Sequence, residues 1–131
     1  MKILHTADWH LGKFVNGFSM LEDQKYILKE LINSLQNNLI DVLIISGDVF
    51  DRAIAPQDAV KLLDDIIYKI ILDLNIKILI IPGNHDSAQR LSFASKLYRE
   101  KGLYIFGDCN KKIPNITLFD EYGPVNFYSL P

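Results

Sequence analysis

Residues 76–87 read IKILIIPGNHDS, an apolar run that ends abruptly in glycine, asparagine, histidine and aspartate. The apolar part, Ile76 to Ile81, is short and rich in β-branched residues, and Pro82 and Gly83 close it. This pattern predicts a strand that is buried on both faces of a sheet rather than a helix. The polar residues that follow therefore stand at the end of a buried strand.

Two earlier segments are organised in the same way. Residues 1–10, MKILHTADWH, pass from an apolar strand into Asp8 and His10. Residues 40–52, IDVLIISGDVFDR, contain a stronger apolar run, Val42 to Ile45, before they turn polar. The polar residues of that second ending are Gly47, Asp48, Asp51 and Arg52. Each of the three strands thus leads into groups that a core rarely contains.

Helical patterns separate the strands. Ser19 and Glu22 fit a capping box at the start of the first helix, and Pro56 suits the first turn of the second helix. A third helical pattern covers residues 87–102 and ends at Gly102. We expect three apolar stripes to face the sheet. They are Leu21, Leu28, Leu31, Ile32, Leu35 and Leu39 in the first helix, Val60, Leu63, Ile67, Ile70 and Leu74 in the second, and Leu91, Ala94, Leu97 and Tyr98 in the third.

This alternation predicts an α/β fold with a mostly parallel sheet flanked by helices. In such a sheet the ligand crevice lies outside the carboxyl ends of the strands. All three polar endings stand at those ends, so we expect them to converge in space. Residues 115–131, NITLFDEYGPVNFYSLP, instead predict two antiparallel strands that turn at Tyr122 to Pro124.

Composition bounds the class of protein. The chain has 131 residues, of which 49% are hydrophobic, which suits one domain with a buried core. Charged residues interrupt the longest apolar stretch, and the first residues lack the pattern of a secretory signal peptide. We therefore expect a cytoplasmic protein that does not span a membrane. A net charge of −2 does not exclude a nucleic-acid partner, because bound cations would reverse the sign of one face.

The single cysteine and the first histidine have simple interpretations. Cys109 excludes an internal disulfide and a thiolate metal cluster, and we expect an unreactive loop residue because no base lies near it in sequence. His5 lies inside the first predicted strand. We expect it either to be a core residue or to contact a residue that itself binds the ligand of the site.

The converging side chains offer oxygen and nitrogen ligands and no sulfur. Asp8 and His10 are two positions apart, a spacing that would put both on one face of a strand. With Asp48, Asn84 and His85 they form a set that suits manganese, iron, zinc or magnesium rather than copper or an iron–sulfur cluster. A carboxylate has two oxygens, so Asp48 could bridge two ions as in two-metal phosphoester hydrolysis.

Three neighbouring residues could serve the same chemistry. His85 could stabilise a transition state or protonate a leaving oxygen, and Asp51 could orient the His85 ring. Arg52 is suited to hold a phosphate group.

Together these blocks resemble the signature of the calcineurin-like metallophosphoesterases, DxH, GDxxD and GNH(D/E). They stand here as Asp8/His10, Gly47/Asp48/Asp51 and Gly83/Asn84/His85/Asp86. The surrounding segments HTADWHLGK, GDVFDR and GNHDSAQRLSFAS are similar to the SbcD family of bacterial nuclease subunits over nearly the whole chain. The resemblance implies a calcineurin-like phosphoesterase sandwich, here incomplete.

The resemblance also implies a role for each matched residue. Asp8 and His10 would bind the first of two divalent metal ions, Asp48 would bridge the pair, and Asn84 would bind the second. His85 would be the catalytic histidine with Asp51 as its partner. The implied activity is manganese-dependent exonuclease and endonuclease cleavage of DNA ends and hairpins in DNA repair and recombination. The implied partners are DNA, an SbcC-type ATPase and a second copy of the full-length subunit.

The sequence departs from that family in one respect. A later histidine and a GHxH block, which complete the family's metal site, are absent from residues 1–131. We therefore expect an amino-terminal portion of a single phosphoesterase domain that binds at most one ion, weakly, and is nearly inactive alone. Two alternatives remain open: another metallophosphoesterase that acts on a small molecule or a protein, and an inactive interaction module.

Overall fold

The structure is a computed structural model that describes residues 1–107 and 113–130. Cys109 lies outside the described residues, so its assignment to a loop stays a prediction. The elements in chain order are β1 (Ile3–Ala7), β2 (Phe14–Val15), β3 (Phe18–Ser19), α1 (Leu21–Asn37), β4 (Val42–Ser46), α2 (Gln57–Tyr68), β5 (Lys77–Ile81), α3 (Ala88–Leu91), α4 (Ser95–Arg99), β6 (Leu103–Ile105), β7 (Asn115–Asp120) and β8 (Gly123–Tyr128). A π-helical turn, Lys69–Asp73, continues α2.

Four parallel strands form the central sheet in the order β1-β4-β5-β6. The predicted α/β fold with a parallel sheet flanked by helices is therefore confirmed. Alternate residues of β4 and β5 enter opposite layers: Leu43 and Ile78 pack against the helices, whereas Val42 and Leu79 pack on the other face. Burial on both faces is the reason that these strands read as continuous apolar runs.

A hairpin of β7 and β8 covers part of the second face of the sheet. The two strands pair antiparallel, as expected, although Gly123 and Pro124 belong to β8 rather than to the turn. Ile116 and Leu118 of β7 join Val42, Leu79 and Phe106 in one buried cluster. The hairpin is thus part of the packed structure.

An ion pair fastens this hairpin to β1. The Met1 ammonium donates a hydrogen bond to Asp120 Oδ2 at 2.8 Å. That bond raises the pKa of the amine above its ordinary value of 8.0. The same bond, with help from the Tyr122 backbone N–H, lowers the pKa of Asp120 below its ordinary 3.8.

The ion pair predicts a stability contribution confined to a pH window. The contribution of Asp120 to stability is present above pH 3.8 and is lost as the pH falls through its lowered pKa. The contribution of the amine to stability is present below pH 8.0 and is lost as the pH rises through its raised pKa. The melting temperatures of the wild type and Asp120→Asn should therefore differ most between these two values. A difference that stays constant from strongly acidic to strongly alkaline pH would contradict this assignment.

The start of α1 differs from the expected capping box. Met20 is the N-cap and makes no side-chain capping bond. Ser19, the predicted N-cap, is instead paired in β3 opposite Phe14. The Ser19 hydroxyl accepts a hydrogen bond from the Leu21 N–H instead. The predicted stripe is correct at its centre, but Leu39 lies beyond the helix and is 75% exposed.

The other two stripes are only partly correct. In α2 the buried residues include Ala59, Leu62 and Ile66, whereas Val60 is exposed. The predicted third helix is broken into α3 and α4 at Ala94, which has a left-handed φ of 56°. The break turns Leu97 outward, so it is 71% exposed rather than packed on the sheet. Within the described ranges, no helix is long and apolar enough to cross a membrane.

Candidate metal centre

Backbone hydrogen bonds beyond the strand ends bring the three polar segments together. The Asp8 N–H donates to Gly47 O at 3.1 Å, and the Gly47 N–H donates to Ile81 O at 2.7 Å. Further along the same two loops, the His10 N–H donates to Asp48 O at 2.8 Å. The ladder of the parallel sheet thus continues into the loops, and the expected convergence is present.

The candidate ligands occupy strained backbone positions. Asp8, His10 and Asp48 have φ angles of 55°, 45° and 47°, in the left-handed region. That region costs a non-glycine residue about 1–2 kcal/mol, and such strain is concentrated at functional sites. Asp8 and His10 therefore come together through a turned loop, and the predicted arrangement on one face of a strand is wrong because β1 ends at Ala7.

One group of potential ligands contains Asp8, His10 and Asp48. His10 Nε2 lies 3.9 Å from Asp8 Oδ1 and 3.8 Å from Asp48 Oδ2. Two atoms that are each about 2.1 Å from one ion lie about 3.0 Å apart at a right angle and about 4.2 Å apart on opposite sides. Both observed separations fall between these limits, so each of the two carboxylate oxygens could share a divalent ion with His10.

A second group contains His10, Asp51 and His85. The two imidazole rings meet edge to face with centroids 5.1 Å apart, and His10 Nδ1 lies 3.6 Å from Asp51 Oδ1. Within the described ranges His10 Nδ1 is buried and has no hydrogen-bond partner. Buried polar atoms are normally satisfied, so this nitrogen is an exception, and it lies within the candidate site.

His85 contacts Asp51, but through the main chain. Its Nδ1 lies 2.8 Å from the Asp51 backbone oxygen, which can only accept, so Nδ1 is the donor. The Nε2 atom of the neutral ring is then an acceptor that is available for proton transfer. The Asp51 carboxylate is directed instead toward His10 and, at 3.8 Å, toward Arg52 Nη2.

Asn84 and Arg52 lie at the exposed rim. Asn84 is exposed between Gly83 and His85, and in the described part of the chain its side chain has no hydrogen bond. The Arg52 side chain is 60% exposed beside Asp51. The structure therefore gathers Asp8, Asp48, His10, Asp51 and His85 and leaves these two residues open to an incoming molecule.

His5 is not the core residue that its strand position suggested. It is exposed on β1, and its Nε2 lies 2.8 Å from Ser46 Oγ at the end of β4. The expected place in the core is wrong, because His5 lies on the exposed face of β1, an edge strand of the sheet. The alternative, that His5 supports the metal site, stays a prediction.

Asp86 belongs to the GNHD block, but the sequence pattern assigned it no task. Its carboxylate accepts three backbone hydrogen bonds, from Val49 at 3.0 Å, Phe50 at 2.9 Å and Gly83 at 2.9 Å. These bonds tie the loop after β4 to the loop after β5. Asp86 therefore determines how Asp48 and His85 face each other.

Gly83 and Asp48 are in close contact at the same place. The Asp48 carboxylate accepts the His85 N–H through Oδ1 at 2.9 Å, which leaves Oδ2 facing His10. A Cβ atom at Gly83 would overlap both the carboxylate and the backbone nitrogen of Asp48. Glycine is needed here for close approach, and this requirement could have been suspected from its place directly after a buried strand.

Comparisons with known proteins identify the family of this chain. The sequence model of the calcineurin-like phosphoesterase family matches residues 1–130. Over all 131 residues the chain is 42% identical to a protein of Staphylococcus saprophyticus subsp. saprophyticus that is named as a subunit of the nuclease SbcCD. The chain spans about a third, 34%, of the length of that relative.

Proposed function

This chain belongs to the calcineurin-like phosphoesterase family, and from that premise we propose that it is the amino-terminal portion of the single phosphoesterase domain of a metal-dependent DNA nuclease subunit. The family is one of phosphoester hydrolases that bind divalent metal ions. The choice of DNA as substrate is supported by the 42% identity to a nuclease subunit. The observation that carries the proposal is the meeting of Asp8, His10 and Asp48 at the ends of two neighbouring strands.

The first ion would be held by Asp8, His10 and Asp48, and the second by Asp48 and Asn84. When bound, such ions supply Lewis-acid polarisation of the phosphoester and activation of water. Manganese suits these carboxylate, amide and imidazole ligands. With these residues alone we expect at most one ion, weakly bound, because among the described residues the proposal assigns just Asp48 and Asn84 to the second ion.

The remaining site residues would act on the substrate itself. With Nδ1 committed to the Asp51 carbonyl, His85 Nε2 would first accept a proton from water, and the resulting imidazolium would donate that proton to the leaving oxygen. Asp51 would fix the ring by that bond and by its place beside His10. The exposed Arg52 would contact a phosphate group of the incoming strand.

The wider role is a further proposal, based on the resemblance to the SbcD family, because the name of the relative gives only a nuclease subunit. We propose that the full-length subunit works in the cytoplasm in DNA repair, recombination and replication, as a homodimer with an SbcC-type ATPase. The same site residues would serve the hydrolysis of DNA or of another phosphoester. The second candidate function is therefore a phosphatase or phosphodiesterase that acts on a small molecule or a protein. An inactive interaction module is disfavoured because the amino-terminal ligands are all present.

Cleavage of labelled DNA tests this proposal. With manganese, the full-length subunit and its ATPase partner should degrade linear duplexes and open hairpins, and His85→Gln should slow cleavage by about 10²–10⁴-fold. Lys96→Gln, a substitution of an exposed residue on α4, serves as the control. The 131-residue chain alone should show almost no turnover.

Two results would contradict the proposal. Rapid hydrolysis of a small phosphodiester without cleavage of DNA would favour the second candidate. Robust DNA cleavage by the isolated chain would disprove the expectation that the chain lacks necessary ligands.

A further inference from the structure

Gln24 of α1 binds the loop that follows β1 with three hydrogen bonds. Its Nε2 donates to Trp9 O at 3.2 Å and to His10 O at 2.7 Å. Its Oε1 accepts the Gly12 N–H at 3.0 Å. Both amide hydrogens and one oxygen lone pair are therefore used on residues 9–12, which lie far from Gln24 in sequence.

This loop contains backbone conformations that do not persist without support. Asp8, His10 and Gly12 all have positive φ angles. Rotation of His10 into the ordinary right-handed region would turn the carbonyl groups of Trp9 and His10 away from the Gln24 amide. The Gln24 hydrogen bonds thus help to stabilise the strained conformation, together with the His10 N–H that donates to Asp48 O and the Leu11 N–H that donates to Val49 O.

The His10 ring does not fix its own orientation. A metal-binding histidine usually donates its second ring N–H to a carboxylate, a carbonyl group or water. Within the described ranges His10 Nδ1 has no hydrogen bond. The ring is therefore positioned by its contacts with Asp51 and His85 and by the backbone to which it is attached, and Gln24 binds that backbone.

Packing is incomplete on the α1 side of the loop. A cavity of about 330 Å³ lies between α1 and the end of β1, and Asp8, Trp9 and Gln24 are among the residues that line it. The cavity leaves room for the loop to relax if the Gln24 amide is removed.

We propose that Gln24 is a positioning residue for the metal centre, which presents Asp8 and His10 in the conformation that binds the ion. This inference rests on the proposed function, since it assumes that Asp8 and His10 are ligands. It assigns a supporting role to a residue outside the signature blocks, on a helix rather than at a strand end.

The test is calorimetric titration of the full chain with MnCl₂, together with amide hydrogen exchange of Gly12 without metal. Gln24→Met removes all three hydrogen bonds at similar length, while Gln24→Glu keeps the acceptor for Gly12 but places oxygen against the two carbonyls. Gln36→Met is the matched control, because Gln36 is exposed on the same helix and its side chain has no hydrogen bond within the described ranges.

Both Gln24 variants should bind manganese about 10- to 100-fold more weakly than the wild type and the Gln36 control. Gly12 should lose exchange protection in Gln24→Met, while far-ultraviolet circular dichroism shows an intact fold. Equal affinities in all four proteins would overturn the inference and leave the proposed metal site standing. Failure of the wild type to bind would overturn both. Loss of fold in both variants would assign Gln24 to general stability and also overturn the inference.

Discussion

Asp48→Asn is expected to abolish manganese binding by this chain. Asp48 is 7% exposed, and its Oδ2 faces His10 at 3.8 Å, where the variant would place an amide group that cannot ligate through nitrogen. The Oδ1 atom can still accept the His85 N–H, so the fold should persist. The loss of affinity should exceed the roughly 10- to 100-fold that supporting residues typically contribute. Calorimetric titration with manganese measures it directly.

A matched substitution distinguishes the loss of a metal ligand from the loss of one negative charge. Asp64→Asn removes one carboxylate from the exposed surface of α2 and should leave manganese affinity unchanged. Equal affinities of the wild type and Asp48→Asn would mean that the ion is held elsewhere. Absence of binding by the wild type itself would contradict the proposal that Asp8, His10 and Asp48 hold an ion in this chain.

Asp86→Ala is expected to have the largest effect on stability. The substitution leaves the backbone N–H groups of Val49, Phe50 and Gly83 without their acceptor. Hydrogen bonds to charged groups contribute about 1.5–3 kcal/mol each and are not additive, so we expect a loss of about 3–5 kcal/mol in the free energy of unfolding. Urea denaturation with a common m-value measures this loss.

The Asp86 prediction has its own control and its own counter-result. Asp86→Asn keeps the shape and some accepting capacity, so it should lie between the wild type and the alanine variant. Asp64→Ala, on the exposed surface of α2, should change the free energy of unfolding by less than about 0.5 kcal/mol. A loss below about 1 kcal/mol for Asp86→Ala would show that water replaces the carboxylate at little cost.

Periodicity alone was sufficient for the central elements. The runs at Val42 and Ile78 predicted buried strands because a strand covered on both faces cannot contain polar residues. The same reasoning failed at Ala94 and Leu97, where a left-handed residue breaks the helix. A local φ angle is set by the packing of the whole chain, and hydrophobic spacing does not report it.

The sequence by itself determined the fold class, the polar ends of three strands and the chemical identity of the candidate ligands, because strand burial and residue type are local properties. Only the tertiary structure decided how those groups meet. It placed His85 against the Asp51 carbonyl rather than its carboxylate, made Asp86 the acceptor for two loops, and brought Gln24 to the first loop. These contacts join segments distant in sequence, and each depends on the backbone directions that packing of the sheet and helices imposes.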